Sequence, residues 1–298
     1  MTEPAVEAAT ATFVAHRNLL FTVAYEVLGS AADAEDVLQE TWLRWAEVDL
    51  SQVRDERAYL VRITTRQALN RLRTLSRRRE SYVGPWLPEP LLTSPDVAED
   101  VELAESASMA LLLVLETLAP TERAVFVLRE AFGLDYAEIA EAVDKSPAAV
   151  RQIAHRARNH VHARRPRQAT GPAEARAAVE SFQHALQTGN LQQLVDVLAP
   201  EVVCIADGGG VSRAARRPIV GVEHVLRYLA GITAKAAGRI EMAVVAVNSA
   251  PALLASVDGQ LDGVVSVAVA DGQITGIYYV RNPEKLTAVP QETLLTLR

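Results

Sequence analysis

Apolar positions along the chain follow a helical period through its first half and a mixed helical and alternating period through its second. The clearest stretch is Asp135 to Val161, DYAEIAEAVDKSPAAVRQIAHRARNHV. Tyr136, Ile139, Ala140 and Val143 fall at i, i+3, i+4 and i+7, one stripe of a short helix. Asp144 and Lys145 break the stripe, Ser146 suits an N-cap, and Pro147 suits the first helical position, where its missing N–H costs nothing. A second helix then hides Val150, Ile153, Ala154, Ala157 and Val161. Upstream, residues 10–29 predict a helix with Phe13, Leu20, Phe21, Ala24 and Leu28 inward, ended by Gly29. Ser30 restarts a helix that buries Leu38, Trp42 and Trp45 and exposes Asp33, Glu35, Asp36 and Glu40. After a polar link, RAYLVRITTRQALNRLRTLSRRR predicts one long helix with Leu60, Ile63, Ala68, Leu72 and Leu75 on its inner side.

The periodicity fails twice. Residues 81–106 are rich in proline (Pro85, Pro88, Pro90, Pro95) and then acidic (Asp96, Glu99, Asp100, Glu102, Glu105), which disfavours regular helix and predicts an extended linker. Within it Trp86, Leu87, Pro88, Glu89 and Pro90 are unexpected, because a passive spacer needs neither Trp nor Leu; they read either as a locally packed spacer or as a docking peptide for another part of the chain. Residues 166–172 are a second linker. Beyond it the pattern predicts helices over 173–187, 191–198 and 222–236, a strand over 202–206, a turn forced by Asp207, Gly208, Gly209 and Gly210, and an antiparallel meander from Ile240. Helices followed by a meander predict an α+β cone. The chain thus divides into 1–80, 81–106, 107–165, 166–172, 173–285 and a tail over 286–298.

The net charge of −7 is unevenly spread: residues 1–165 carry 19 Lys+Arg against 25 Asp+Glu, and 166–298 carry 11 against 12. Nucleic-acid binding therefore has to rest on local clustering. Two clusters exist. The helix after Pro147 turns Arg151, Gln152, His155, Arg156, Arg158 and Asn159 outward, with no carboxylate between Lys145 and Arg165. The long helix carries Arg62, Arg66, Arg71, Arg73, Arg77, Arg78 and Arg79 with no acid from Arg57 to Arg79. Two short helices with such a second face have the layout of a helix-turn-helix, in which Arg and Gln read base edges and neighbouring Arg residues hold phosphates. The plain alternative is a surface hairpin with a solvated basic face. Cys204 is the lone cysteine, which excludes an intramolecular disulfide and a thiolate metal cluster. The chain shows no leader pattern and no membrane-length apolar run, so a soluble, cytoplasmic protein is expected.

The order of these motifs resembles the sigma-70-family initiation factors of the extracytoplasmic-function type. DAEDVLQETWLRW resembles region 2.2, RAYLVRITTRQALNRLR regions 2.3 and 2.4, and residues 108–165 region 4. The fold this implies is multidomain: two all-α sigma domains, helical region 2 and a helix-turn-helix region 4, and then the α+β cone. The implied partners are promoter DNA and core RNA polymerase, through the β′ clamp helices and the β flap. On this resemblance Asp36, Glu40, Trp42 and Trp45 belong to the polymerase-facing element. Arg62, Arg66, Asn70 and Arg73 face the −10 element, and Arg151, Gln152, His155 and Arg156 face −35.

Residues 173–285 resemble the SnoaL-like, nuclear-transport-factor-2-like fold, and WLPEP, DGGG and NPEKL resemble the SigJ-like group, which carries this domain in place of a separate anti-sigma factor. This implies regulation in cis. Asp207, Gly208, Gly209 and Gly210, together with Asn282, Pro283, Glu284, Lys285 and Leu286, would contact the linker at Trp86, Leu87, Pro88, Glu89 and Pro90. Relatives of this cone bind small ligands or move protons, so the tail leaves room for a ligand, and a catalytic reading would invoke Asp207, His224, Tyr278 and Tyr279. No nucleophile–base constellation, phosphate loop or metal cluster is apparent, so neither catalysis nor a cofactor is expected. Two rivals stay open: a stand-alone helix-turn-helix regulator with a ligand-sensing tail, and an enzyme whose tail acts on a small molecule.

Overall fold

The computed structural model describes residues 3–79, 81–93, 108–164, 170–236, 239–287 and 289, without the side chains of 3–5, 76–79, 235 and 236. The acidic stretch of the linker, the side chains of Arg77, Arg78 and Arg79, and most of the tail beyond Thr287 lie outside the described residues. The described chain forms two compact units.

The first unit draws on residues 1–80 and 114–164. Its opening helices are α1 (Glu3–Leu28), α2 (Ala31–Trp45) and α3 (Glu56–Arg79). Gly29 has φ of +68°, which a side chain would strain, and Ser30 caps α2 by accepting the Asp33 N–H. Leu20, Ala24, Leu28, Leu38, Leu60 and Leu72 are all buried. The same unit contains α4 (Met109–Leu115) in part, α5 (Pro120–Phe126), α6 (Tyr136–Val143) and α7 (Pro147–Arg164). Between α6 and α7, Asp144 sits at φ +55° and Ser146 accepts the Ala149 N–H, which fixes a tight turn. Val150, Ile153, Ala154, Ala157 and Val161 are all buried.

The second unit draws on residues 81–113 and 165–293, so the described part of the linker, 81–93, folds with the tail. Helices α8 (Pro172–Thr188), α9 (Leu191–Val197) and α10 (Val222–Ala236) accompany strands β1 (Leu198–Asp207), β2 (Ile219–Val220), β3 (Ile240–Val247), β4 (Ala250–Val257), β5 (Gln260–Ala270) and β6 (Gln273–Val280). Strand order is β2-β1-β6-β5-β4-β3. The meander β3 to β6 is antiparallel throughout, but β6 pairs with β1 in parallel, with Ile205 opposite Tyr278 and Asp207 opposite Val280. The chain crosses by α10 to the far edge, and four strands then walk back to β1.

Both faces of this sheet are covered, which is why β5 reads as a near-continuous apolar run rather than an alternation. One face packs Leu253 and Ile277 against Val179, Phe182, Leu194 and Val225 of the helices. The other packs Val247, Ala252, Val264 and Val280 against Leu87 of the linker and Met109 of α4. Leu87, Pro88, Pro90, Leu91 and Thr93 of the linker are therefore buried in this unit.

Candidate nucleic-acid interface and linker clamp

In the first unit the expected −35 residues share one open face of α7: Arg151, Gln152, His155 and Arg156 are all exposed. Arg156 has a loose ion pair with Glu122 at 3.6 Å, the His155 ring bonds Asn159, and Arg151 lies 5.9 Å from the Tyr136 ring centroid. Arg158, by contrast, is tied to Glu130 at 2.6 Å.

The expected −10 residues lie along α3 in a different state. Arg62 donates to the Glu141 carboxylate at 2.9 Å while its guanidinium stacks 4.4 Å from the Tyr59 ring centroid. Arg66 donates to the Glu141 carbonyl at 2.7 Å. Asn70 and Arg73 are exposed and bond each other at 3.3 Å. The cationic run of α3 looked uncompensated within its own helix, but its carboxylates come from elsewhere: Glu141 of α6 for Arg62, and Asp33 and Asp36 of α2 for Arg71, both at 2.7 Å.

Of the four residues expected to face polymerase, Asp36 and Glu40 are exposed and Trp42 is half-buried against Phe13. Trp45 is fully buried, its indole N–H donating to the Ala9 carbonyl at 2.9 Å. It therefore offers no surface to a partner and instead fixes α2 on α1. The large apolar side chain that this helix exposes is Leu43, at 65 % exposure, which the aromatic pattern did not single out.

Arg123 of α5 is fully buried and joins the two helical groups of this unit. It donates twice to the Glu26 carbonyl, at 3.1 and 3.0 Å, and pairs with Glu116. Burial lowers its pKa to about 9, partly offset by the nearby Glu26, and it stays charged at neutral pH. Periodicity placed no weight on Arg123, although a charged residue in a helix that is otherwise buried is a readable signal.

In the second unit the linker meets the end of β1. Asp207 is fully buried, and its carboxylate accepts four donors. Oδ1 takes the Tyr82 hydroxyl at 2.6 Å and the Gly209 N–H at 3.0 Å. Oδ2 takes the Leu87 N–H at 2.9 Å and Lys285 Nζ at 2.7 Å. Nζ also donates to the Leu87 carbonyl at 2.5 Å and lies 4.1 Å from the Trp86 ring centroid. One linker residue, Leu87, is thus held through both backbone groups by a single buried ion pair. Burial first, then the bond to Asp207, pushes the Tyr82 hydroxyl well above its usual pKa.

Asn282 donates to the Tyr82 hydroxyl at 2.9 Å and accepts the Glu284 N–H, capping the short 3-10 turn Pro283–Lys285 that aims Lys285 inward. Gly209 has no alternative here: its φ is +60°, and a Cβ would stand 2.4 Å from Asn282 Nδ2. A Cβ on Gly208 would stand 2.1 Å from the Ser212 carbonyl oxygen. Gly210 approaches the Val83 side chain. Leu87, Pro88, Pro90 and Leu286 are buried, Trp86 and Glu89 half-buried, and Pro283 and Glu284 exposed.

Further along, Leu92 bridges Val247, and the β3–β4 turn exchanges bonds with Leu91: the Leu91 N–H donates to Asn248 Oδ1 and the Asn248 N–H to the Leu91 carbonyl, both at 2.8 Å. Asn248 and Ser249 both hold positive φ in that turn.

Of the residues of the catalytic reading, Asp207 and Tyr278 share the linker-covered face of the sheet, while His224 and Tyr279 do not join them there. Asp207 is occupied by its four donors, and Tyr279 bonds Asp262. His224 is exposed, its ring against the Val220 carbonyl. Among the described residues no His, Cys, Asp and Glu group could hold a metal ion.

Comparison with known proteins fits these two assemblies. The models for sigma-70 region 2 and for sigma-70 region 4 match residues 12–78 and 108–161. The ECF RNA polymerase sigma factor SigJ of Mycobacterium tuberculosis is 36% identical over 291 residues, covering 93% of each chain. The chain belongs to the extracytoplasmic-function RNA polymerase sigma factors. A probable ECF RNA polymerase sigma factor, SigI of M. tuberculosis, is 32% identical to this sigma factor, covering 95% of this chain and 96% of the relative. The crystal structure of M. tuberculosis SigJ superposes with a TM-score of 0.78 at 32% identity, over 94% of this sigma factor and 99% of that chain. This match extends past both sigma regions into the α+β tail. The fold class is therefore two helical sigma domains followed by an α+β domain. Among the described residues, no helix of this sigma factor is long and apolar enough to cross a membrane.

Proposed function

We propose that this sigma factor directs core RNA polymerase to promoters through two DNA faces and is regulated in cis by its own tail. Arg62, Arg66, Asn70 and Arg73 of α3 take the opened −10 strand, where unstacked bases and phosphates meet cationic side chains. Arg151, Gln152, His155 and Arg156 of α7 enter the −35 major groove. Asp36, Glu40, Trp42 and the exposed Leu43 dock on the β′ clamp helices, and region 4 on the β flap. The protein works in the cytoplasm, where its polymerase is, and catalyses nothing itself.

The cis regulation rests on one observation: Leu87 is gripped through its N–H and carbonyl by the buried Asp207–Lys285 pair. A linker residue so held fixes the chain between the −10 and −35 readers. The test is runoff transcription with core polymerase, comparing the full chain with Trp86→Ala and Lys285→Ala. Changed promoter output at unchanged core affinity is expected. Equal output from all three proteins sinks the cis role, and failure of the unaltered chain to bind core sinks the whole reading. Removing the tail is a poorer test, because it would bare the apolar linker side chains that the sheet covers.

A further inference from the structure

Residues 211–217, VSRAARR, follow the glycine turn and lie in a stretch without a carboxylate from Gly208 to Val222. Arg213, Arg216 and Arg217 are exposed, and none has a carboxylate partner among the described residues. Arg62, Arg71, Arg158, Arg239 and Arg281 all have one.

The backbone beneath these side chains is pinned. The Val211 and Ser212 N–H groups donate to the Gly208 carbonyl at 3.0 and 2.9 Å. Arg281 bonds Asp262 through Nε and Nη2 and turns its remaining Nη1 onto the Arg213 carbonyl. On the linker side, Gly210 abuts Val83 and the Arg216 Cα lies 3.9 Å from where a Cβ on Gly84 would stand. Three arginines within five residues are thus held on an anchored loop, not on a free one. A guanidinium fork suits phosphate oxygens, and such contacts position a duplex without reading its sequence.

We propose that loop 211–217 is a third DNA contact, gripping the phosphate backbone of the promoter duplex between the two recognition elements. The linker supplies the location. Val83 comes four residues after Arg79, the last residue of α3, and the linker runs on to region 4, so the loop is tethered between the two DNA readers whatever the arrangement of the units. This proposal rests on the promoter-directing reading above.

The test uses the full chain with core polymerase on a promoter it transcribes. Cys204 is buried and its thiol is pushed up to about 12, so an iron chelate attached through Arg216→Cys marks that position alone. Hydroxyl-radical cuts in the duplex between the −10 and −35 elements are expected. In parallel, Arg216→Ala with Arg217→Ala should flatten the plot of log binding constant against log salt by about 2, roughly 0.9 per lost phosphate contact, at unchanged core affinity. Cuts confined to polymerase subunits would assign the loop to an acidic protein surface and overturn the proposal. Absent cuts, or an unaltered salt slope, overturn it too. An unaltered chain that binds no core fails at the earlier step and sinks the promoter-directing reading itself.

Discussion

Asp207 and Lys285 illustrate how far a single residue's role can sit from its sequence neighbours. Asp207 precedes three glycines, a setting in which aspartate commonly closes a turn, and its Oδ1 does accept the Gly209 N–H. Its other donors lie 78, 120 and 125 positions away. A buried pair of this kind is weak evidence for stability, because desolvation offsets its attraction, yet removing one partner leaves an uncompensated charge that costs about 3–5 kcal/mol. Lys285→Met should therefore lower the unfolding free energy of the second unit by about that amount, as should Asp207→Asn to a lesser degree because the amide can keep some bonds. The double variant should be more stable than the sum of the two single losses predicts, because no lone charge remains. Denaturant unfolding of the four proteins checks this, and strict additivity would mean that the pair is not coupled. Trp45 teaches the converse. Its helical position was readable, its burial too, but a fully buried ring cannot serve as a docking side chain, and the exposed Leu43 beside it can.

At the scale of elements, what the chain writes locally was legible and what it writes at long range was not. The turn between α6 and α7 follows from Ser146 and Pro147, and the hairpin after β4 from Asp258 and Gly259, which both hold positive φ. The parallel pairing of β6 with β1 has no local signature, because strand direction is set by the route of the intervening chain. Nor does the contact of α3 with α6, where Glu141 engages two arginines 79 and 75 positions upstream. This contact sets the state of the α3 face proposed to meet the −10 element. The Arg62–Glu141 pair is partly exposed, so it contributes no more than about 1 kcal/mol. DNA phosphates can displace a contact that weak, whereas the buried Arg123, with its bonds to Glu26 and Glu116, keeps α5 against α1 more firmly. Glu141→Ala should then loosen α6 from α3 without unfolding either. Fluorescence energy transfer between labels at Asn70→Cys and Glu138→Cys, both exposed, reads the separation, and Cys204 stays silent because it is buried. A larger well-separated population in the variant is expected. An identical distribution would show that Glu141 does not hold the proposed −10 face.

For the molecule as a whole, the sheet unit couples linker retention to alkaline pH. Burial raises the pKa of the Cys204 thiol to about 12, that of Tyr278 to about 12, and those of Tyr82, Tyr228 and Tyr279 in the same direction. All five are acids of one unit, and all bind their protons more tightly when folded. Their contribution is complete below the unfolded pKa values of 9.0 for the thiol and 10.0 for the phenols, and it drains away as pH climbs through the folded values. The well-buried Cys204 thiol and Tyr278 phenol each steepen the fall by up to about 1.4 kcal/mol per pH unit inside their windows, and the more exposed Tyr82 and Tyr228 contribute less. Within the sheet unit the thiol acts nearly alone between pH 9 and 10, so Cys204→Ala should flatten the fall of that unit's stability there even though the smaller side chain lowers it by a constant amount. Above pH 10 the tyrosines join in, and Tyr82, which bonds Asp207 and Asn282 directly, ties that loss to the clamp on Leu87. Melting temperature measured from pH 8 to 11, with thiol labelling of Cys204 as a second probe, should show the sheet unit opening and the linker leaving it together. Labelling of Cys204 without a change in Trp86 fluorescence would separate the two events, and the linker would then not depend on the integrity of the sheet beneath it.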